Sequence, residues 1–213
     1  MRFTLGFVIV AFYSTLVSCQ PTSIWDWFPF GPLTPSNSQT TCKLRVYQGK
    51  TPLGYLSATR NSHGEYGTLQ DSPSEAVSVT FSASRSNSKE LSLRVVGAGA
   101  DMPMFGGIIG FTTSNDNLAA GTHHYAYVGL TPQTPSGFDK IQNFERKVQS
   151  AIWSFDLTTK RLAPQWINTN KAMPKNYLLH VADEKALVFT ADKAEFGKVL
   201  NVTFSEVTLN CVA

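Results

Sequence analysis

Apolar and polar residues alternate with a period of two through much of the sequence after residue 42. The alternation is clearest at 43–47, 76–81 and 90–95. Successive side chains of a β-strand point to opposite faces, so this pattern predicts half-buried strands rather than helices. Further strand-like segments lie at 53–57, 106–112, 124–130, 151–155, 162–167, 177–181, 186–190 and 199–207. Gly, Pro, Asn, Asp and Ser are concentrated between these segments, as turns require.

The first nineteen residues have the composition of a secretory signal peptide. Arg2 provides a positive end, residues 3–17 are largely apolar, and cleavage after Cys19 would leave Gln20 as the mature N-terminus. Residues 16–19 also fit a bacterial lipoprotein signal, in which Cys19 would be acylated. Export is predicted in either case, and the expected location is secreted and extracellular.

Two cysteines, Cys42 and Cys211, remain after such a cleavage. In an oxidising compartment a disulfide between them is the expected state. A disulfide needs Cα atoms within about 7 Å, so the first and last strands of the domain should be neighbours. Asn201 begins an N-x-S/T sequon, which predicts an N-glycan in a eukaryotic host.

The chain therefore divides into a signal at 1–19, an arm at 20–41 that is rich in Pro and aromatic residues, and one all-β domain at 42–213. About twelve short strands are expected, with only short helical turns such as 191–196. A closed β-trefoil-like barrel is the favoured architecture, because the predicted disulfide joins the terminal strands and faint internal similarity recurs along the chain. A two-sheet β-sandwich is the alternative.

Composition excludes several classes of function. Charged residues make up only 15% of the chain, and 18 basic against 15 acidic residues give a net charge of +3, which is too small for an electrostatic nucleic-acid footprint. No internal apolar run approaches the ~20 residues that a membrane span needs. We therefore expect no nucleic-acid partner and no membrane span, and we expect a monomer.

Catalytic and metal-binding patterns are weak. There is no G-x-S-x-G motif, and His63 beside Glu65 is typical of a polar turn. His123 and His124 would face opposite sides of a strand and could not both bind one metal ion. We therefore predict no catalytic residue, no metal site and no cofactor.

Aromatic and amide residues in two segments favour carbohydrate binding instead, because sugar rings stack on aromatic side chains while amides and carboxylates bind their hydroxyl groups. The predicted ligand-binding residues are Trp166, Asn168, Asn170, Asn115, Asp116 and Asn117.

Three blocks carry a family resemblance: GYLSATRNSHGEYG (54–67), GGIIGFTTSNDNLAAGTHHYAYVG (106–129) and SAIWSFDLTTKRLAPQWINTN (150–170). Together they resemble a large group of small secreted proteins of mushroom-forming fungi, mostly uncharacterised. The resemblance spans about residues 42–203 and implies secretion and a β fold. The stretch 152–166 is also similar to one repeat of the ricin-type β-trefoil lectins, in which a Trp fills the core, but their sugar-binding aspartate and aromatic residue have no assignable counterparts here.

The sequence thus predicts a secreted, non-enzymatic recognition protein whose partner is an extracellular glycan or protein. Carbohydrate binding is the leading hypothesis. A protease inhibitor that uses the long loop at 130–147 and a cell-wall-associated structural protein that uses the arm are the alternatives.

Overall fold

The computed structural model describes residues 39–137 and 145–213. The predicted signal at 1–19, most of the arm at 20–41 and the centre of the loop at 130–147 lie outside this part of the chain. The first strand begins at Gln39, so the last residues of the predicted arm belong to the sheet.

The described residues form fourteen strands and one helix. The strands are β1 (Gln39–Gln48), β2 (Thr51–Leu56), β3 (Leu69–Gln70), β4 (Ser78–Ser82), β5 (Leu93–Val95), β6 (Met104–Ile109), β7 (Tyr125–Thr131), β8 (Val148–Gln149), β9 (Trp153–Phe155), β10 (Arg161–Pro164), β11 (Tyr177–Val181), β12 (Ala186–Thr190), β13 (Ser205–Glu206) and β14 (Thr208–Val212), and the helix is α1 (Lys193–Leu200). The all-β prediction is confirmed.

All fourteen strands belong to one antiparallel sheet with the order β13-β11-β12-β7-β6-β5-β4-β1-β14-β10-β9, while β2, β3 and β8 pair beside this path. The sheet curls into an open half-barrel. The described residues do not show the closed trefoil-like barrel that the sequence favoured, because the β13 edge of the sheet and the β9 edge do not pair with each other. An isolated bridge between Leu91 and Trp153 brings β9 beside the residues that precede β5.

The predicted disulfide is present. Cys42 in β1 and Cys211 in β14 are bonded, with their Cα atoms 5.4 Å apart. The two strands pair directly, with Leu44 opposite Cys211 and Val46 opposite Leu209. The first and last strands are therefore neighbours, as the cysteine pair predicted.

The helix α1 replaces part of a predicted strand. Asp192 caps its first turn by accepting hydrogen bonds from the backbone N–H groups of Ala194 and Glu195, and Asn201 ends it in the left-handed conformation. Residues 199 and 200 therefore complete the helix, and the predicted strand at 199–207 is reduced to β13. Phe196 is the buried residue of α1, and it packs edge-on against Tyr125 at 5.3 Å and Phe204 at 6.0 Å. This aromatic packing, which alternation along the chain does not reveal, favours the helix.

The core has two parts. The larger cluster lies inside the curl and includes Trp153, Trp166 and Phe189, all without exposed surface. A smaller cluster lies between α1 and the strands β7, β11 and β12, and includes Tyr127, Val188 and Phe196. This second cluster forms the floor of the groove described below. Among the described residues no helix has the length and apolar character to span a membrane.

Candidate functional site

The structure brings together the two segments that the sequence singled out, but their polar groups mostly bind each other. The amide of Asn168 accepts a hydrogen bond from Leu118 N at 2.9 Å and donates one to Leu118 O at 2.8 Å. The side-chain oxygen of Asn117 accepts bonds from the N–H and the hydroxyl of Thr169, both at 2.8 Å. Asn117 and Asn168 therefore join two loops, and the side-chain oxygen of Asn117 and both polar atoms of the Asn168 amide are already occupied.

Trp166 lies in the core and not at the surface. Its relative exposure is 0%, its ring packs 6.0 Å from the ring of Phe189, and its Nε1 donates a hydrogen bond to the backbone oxygen of Asp116 at 3.1 Å. A sugar cannot stack on a ring without accessible surface, so the prediction of Trp166 as a binding platform is wrong. Its role is to hold the 115–118 segment against the core.

Two of the predicted ligand residues do reach a concave surface. Asn115 and Asp116 line a depression of about 180 Å³ together with Phe111, Glu145 and Arg146. The side chain of Asn170, in contrast, accepts a hydrogen bond from Ala172 N at 3.0 Å within its own turn and lines none of the depressions described here. The accessible part of the predicted site is thus the 115–116 turn.

Phe111 is the exposed aromatic residue of this surface, and the sequence prediction did not include it. Its exposure is 52%, and the guanidinium carbon of Arg146 lies 3.4 Å from its ring centroid. The ring of Tyr127 is parallel to it at 5.7 Å, and the ring of His63 approaches edge-on at 6.1 Å. A large apolar residue in the polar stretch 111–117 was the signal that could have identified it.

The turn after β6 fixes the position of Phe111. The ring of Tyr125 lies against Gly110, where an added Cβ would come within 2.4 Å of it. The Thr113 hydroxyl donates a hydrogen bond to Gly110 O at 2.8 Å. Burial raises the pKa of Tyr125, whose hydroxyl bonds the backbone of Phe111 and the side chain of Thr112. With its backbone held this way, Phe111 directs its ring outward.

Two further depressions adjoin Phe111. One, of about 340 Å³, is lined by Arg60, His63, Met102, Tyr127 and Arg146 among others. The other is a groove of about 420 Å³ that runs beside α1 and is called the α1 groove below. Its lining residues are His63, Glu65, Phe111, Tyr125, Val181, Glu184, Ala186, Val188, Phe196, Leu200 and Val202. Most of these are apolar, and the polar ones come from the turns at 63–65 and 184.

Asn61 organises the acidic side of the α1 groove. Its side-chain nitrogen donates hydrogen bonds to Glu65 Oε2 at 2.8 Å and to Glu184 O at 2.9 Å. Its side-chain oxygen accepts bonds from the N–H groups of His63 and Glu65, both at 3.0 Å. The polar turn predicted around His63 is therefore formed, and it places Glu65, a residue that is 7% exposed, in the wall of the groove.

The adjacent histidines have separate partners. His124 is buried, with Nε2 3.0 Å from Ser114 Oγ and Nδ1 2.9 Å from Asn117 O, whereas His123 Nε2 lies 3.2 Å from Thr112 O. In the described part of the chain no three His, Cys, Asp or Glu side chains are placed to hold a metal ion. The histidine pair thus belongs to the framework of the 111–117 turn.

His180 gives a testable pH dependence. Burial lowers its pKa below the ordinary value of about 6.5, and a hydrogen bond from its Nε2 to Gly67 O, at 2.9 Å, partly offsets this. Between the two pKa values the unfolded chain binds more protons than the folded protein, so the free energy of unfolding should fall as the pH drops below about 6.5. His180→Gln, which keeps a donor for Gly67, should reduce that slope in urea titrations at a series of pH values. An identical slope in the variant would assign the dependence to other groups.

Asn201 is exposed at the end of α1, where its φ is 52°. A sequon there is accessible, and the N-glycan stays a prediction. Its neighbours Leu200 and Val202 both line the α1 groove.

Comparison of the chain with protein-family models, with curated proteins and with solved structures gives no match to any of them.

Proposed function

We propose that this is a secreted, non-enzymatic recognition protein that binds carbohydrate on the surface around Phe111. The observation that carries the proposal is the half-exposed Phe111 ring beside a depression lined by Asn115, Asp116 and Glu145. The proposal keeps the predicted ligand class and moves the aromatic platform from Trp166 to Phe111.

The chemistry of this surface suits a sugar. The C–H face of a pyranose packs on an aromatic ring. The Arg146 guanidinium lies over one face of Phe111, so the sugar packs on the ring surface that stays exposed, with the guanidinium donors close to it. One guanidinium nitrogen, Nη1, is buried without a hydrogen-bond partner among the described residues.

The Cys42–Cys211 disulfide supports an oxidising, extracellular location. The inhibitor alternative depends on the loop at 130–147, whose centre at 138–144 lies outside the described residues, and the cell-wall alternative depends on the arm at 20–41, most of which lies outside them. The described contacts favour neither of them over carbohydrate binding.

Phe111→Ala should weaken glycan binding by about tenfold or more, because a stacked aromatic residue contributes on the order of 1–2 kcal/mol. The measurement is a glycan-array screen of the purified protein, followed by calorimetric titration of the strongest oligosaccharide. Met173→Ala is the matched control, because Met173 has the same 52% exposure and lines none of the depressions described here.

The proposal fails if no glycan binds, or if both variants bind as tightly as the wild type.

Glu65 and Glu184 line one groove, and two carboxylates in one cleft are the arrangement that a glycoside hydrolase needs. Because the proposed protein is non-enzymatic, the titrated oligosaccharide should nevertheless be recovered intact. Release of new reducing ends would contradict the non-enzymatic part of the proposal.

A further inference from the structure

The α1 groove differs in character from the polar depression beside Asn115. One wall and the floor are aliphatic, formed by Val181, Val188, Leu200 and Val202. The aromatic rings of Phe111, Tyr125 and Phe196 complete the lining, with Tyr125 and Phe196 edge-on at 5.3 Å. A pocket of about 420 Å³ with such walls is of the size and composition that binds small organic ligands.

The carboxylates that line the groove give it a negative charge. Glu65 and Glu184 are the acidic residues of its lining, and none of the described lining residues is Lys or Arg. His63 is the other titratable residue of the lining, and Arg146 lines the neighbouring depressions with its guanidinium against Phe111. The groove therefore favours a positively charged ligand and disfavours a carboxylate such as that of a fatty acid.

Glu65 provides the strongest single contact for such a ligand. It is more than nine-tenths buried, yet only one of its carboxylate oxygens, Oε2, has a hydrogen-bond partner among the described residues, the amide of Asn61 at 2.8 Å. The electrostatic attraction between a carboxylate and a cation is stronger in a mostly buried, apolar wall than at an exposed position.

From these observations we infer that the α1 groove binds a small organic cation, an ammonium group carried on an apolar body. The ammonium lies beside the Glu65 carboxylate and the Tyr125 ring, where cation–π attraction adds to the charge interaction. The apolar body fills the space between α1 and the strands β11 and β12. This binding does not depend on carbohydrate recognition at Phe111.

The test uses benzyltrimethylammonium and its uncharged isostere neopentylbenzene, titrated into the purified protein and followed by ligand-observed NMR. The cation should bind at least about tenfold more tightly than the isostere, and Glu65→Gln should remove most of that difference. Gln keeps an oxygen for the Asn61 amide, so the variant retains the hydrogen bond that organises the turn. Glu184→Gln, at an exposed position, should have a smaller effect in the same direction.

Glu75→Gln is the matched control, because Glu75 is exposed and lines none of the depressions described here. Equal binding of the cation and the isostere would show an apolar site without charge selectivity and overturn the inference, as would absence of cation binding. An unchanged affinity in Glu65→Gln would place the cation elsewhere and also overturn it. These probes contain no sugar. Absence of glycan binding therefore does not contradict the cation site, and absence of cation binding does not contradict the carbohydrate proposal.

Discussion

Trp166→Ala is expected to lower the free energy of unfolding by about 4 kcal/mol, the usual cost of removing a large buried ring. Trp166 has no exposed surface, packs near Phe189 and donates a hydrogen bond to the backbone oxygen of Asp116. Truncation would leave a cavity and an unpaired carbonyl in the segment that carries Asn115 and Asn117. Urea denaturation followed by far-UV circular dichroism measures the change.

Trp166→Phe separates packing from hydrogen bonding at this position. Phenylalanine keeps most of the ring volume but has no donor for Asp116, so the loss should be about 1–2 kcal/mol. Leu157→Ala, at a partly exposed turn position, should change stability by about 0.5 kcal/mol or less. If Trp166→Ala kept wild-type stability but lost glycan binding, Trp166 would be a ligand contact after all, and the position assigned to the binding surface would be wrong.

Loss of the Cys42–Cys211 disulfide is expected to have an effect of similar size. The bond closes a loop with a sequence separation of 169 residues, and the chain-entropy model gives about 5 kcal/mol for so long a loop. The Cys42→Ala, Cys211→Ala double variant should therefore unfold at a clearly lower urea concentration than the oxidised wild type.

Reduced wild-type protein is the control for this change, because it loses the covalent bond but keeps both side chains in the core. Its stability should match that of the double variant to within about 1 kcal/mol, the cost of small changes in packing. An unchanged unfolding midpoint after complete reduction, verified by counting free thiols, would show that pairing of β1 with β14 alone holds the ends of the domain together.

Much of the local structure follows from short-range patterns. The strands β11 and β12 coincide with the predicted segments 177–181 and 186–190, because strong alternation or continuous apolar runs end at clear turn residues. The segment 199–207 was predicted less accurately, because its first residues end α1 and only β13 at 205–206 is a strand. Its apolar residues Val202 and Phe204 fit a strand, but they pack against α1 and its aromatic cluster.

The sequence predicted the residues of the candidate site less well than it predicted the fold, and Trp166 and Phe111 show the reason. Trp166 and Phe111 both occur among polar neighbours, and periodicity does not distinguish a ring that turns into the core from one that turns outward. Contacts distant in sequence decide between them: Phe189 and Asp116 enclose Trp166, whereas Tyr125 against Gly110 holds the Phe111 turn at the surface.

The amino-acid sequence by itself determined that the chain forms β-strands and that Cys42 joins Cys211, because alternation and thiol pairing depend on residue type and spacing. Only the tertiary structure decided how far the sheet closes, which aromatic ring is exposed and which carboxylate faces a groove. Those outcomes depend on side chains such as Asn61, which bonds both Glu65 and the distant residue Glu184. A contact across so many residues is set by the packing of the whole sheet.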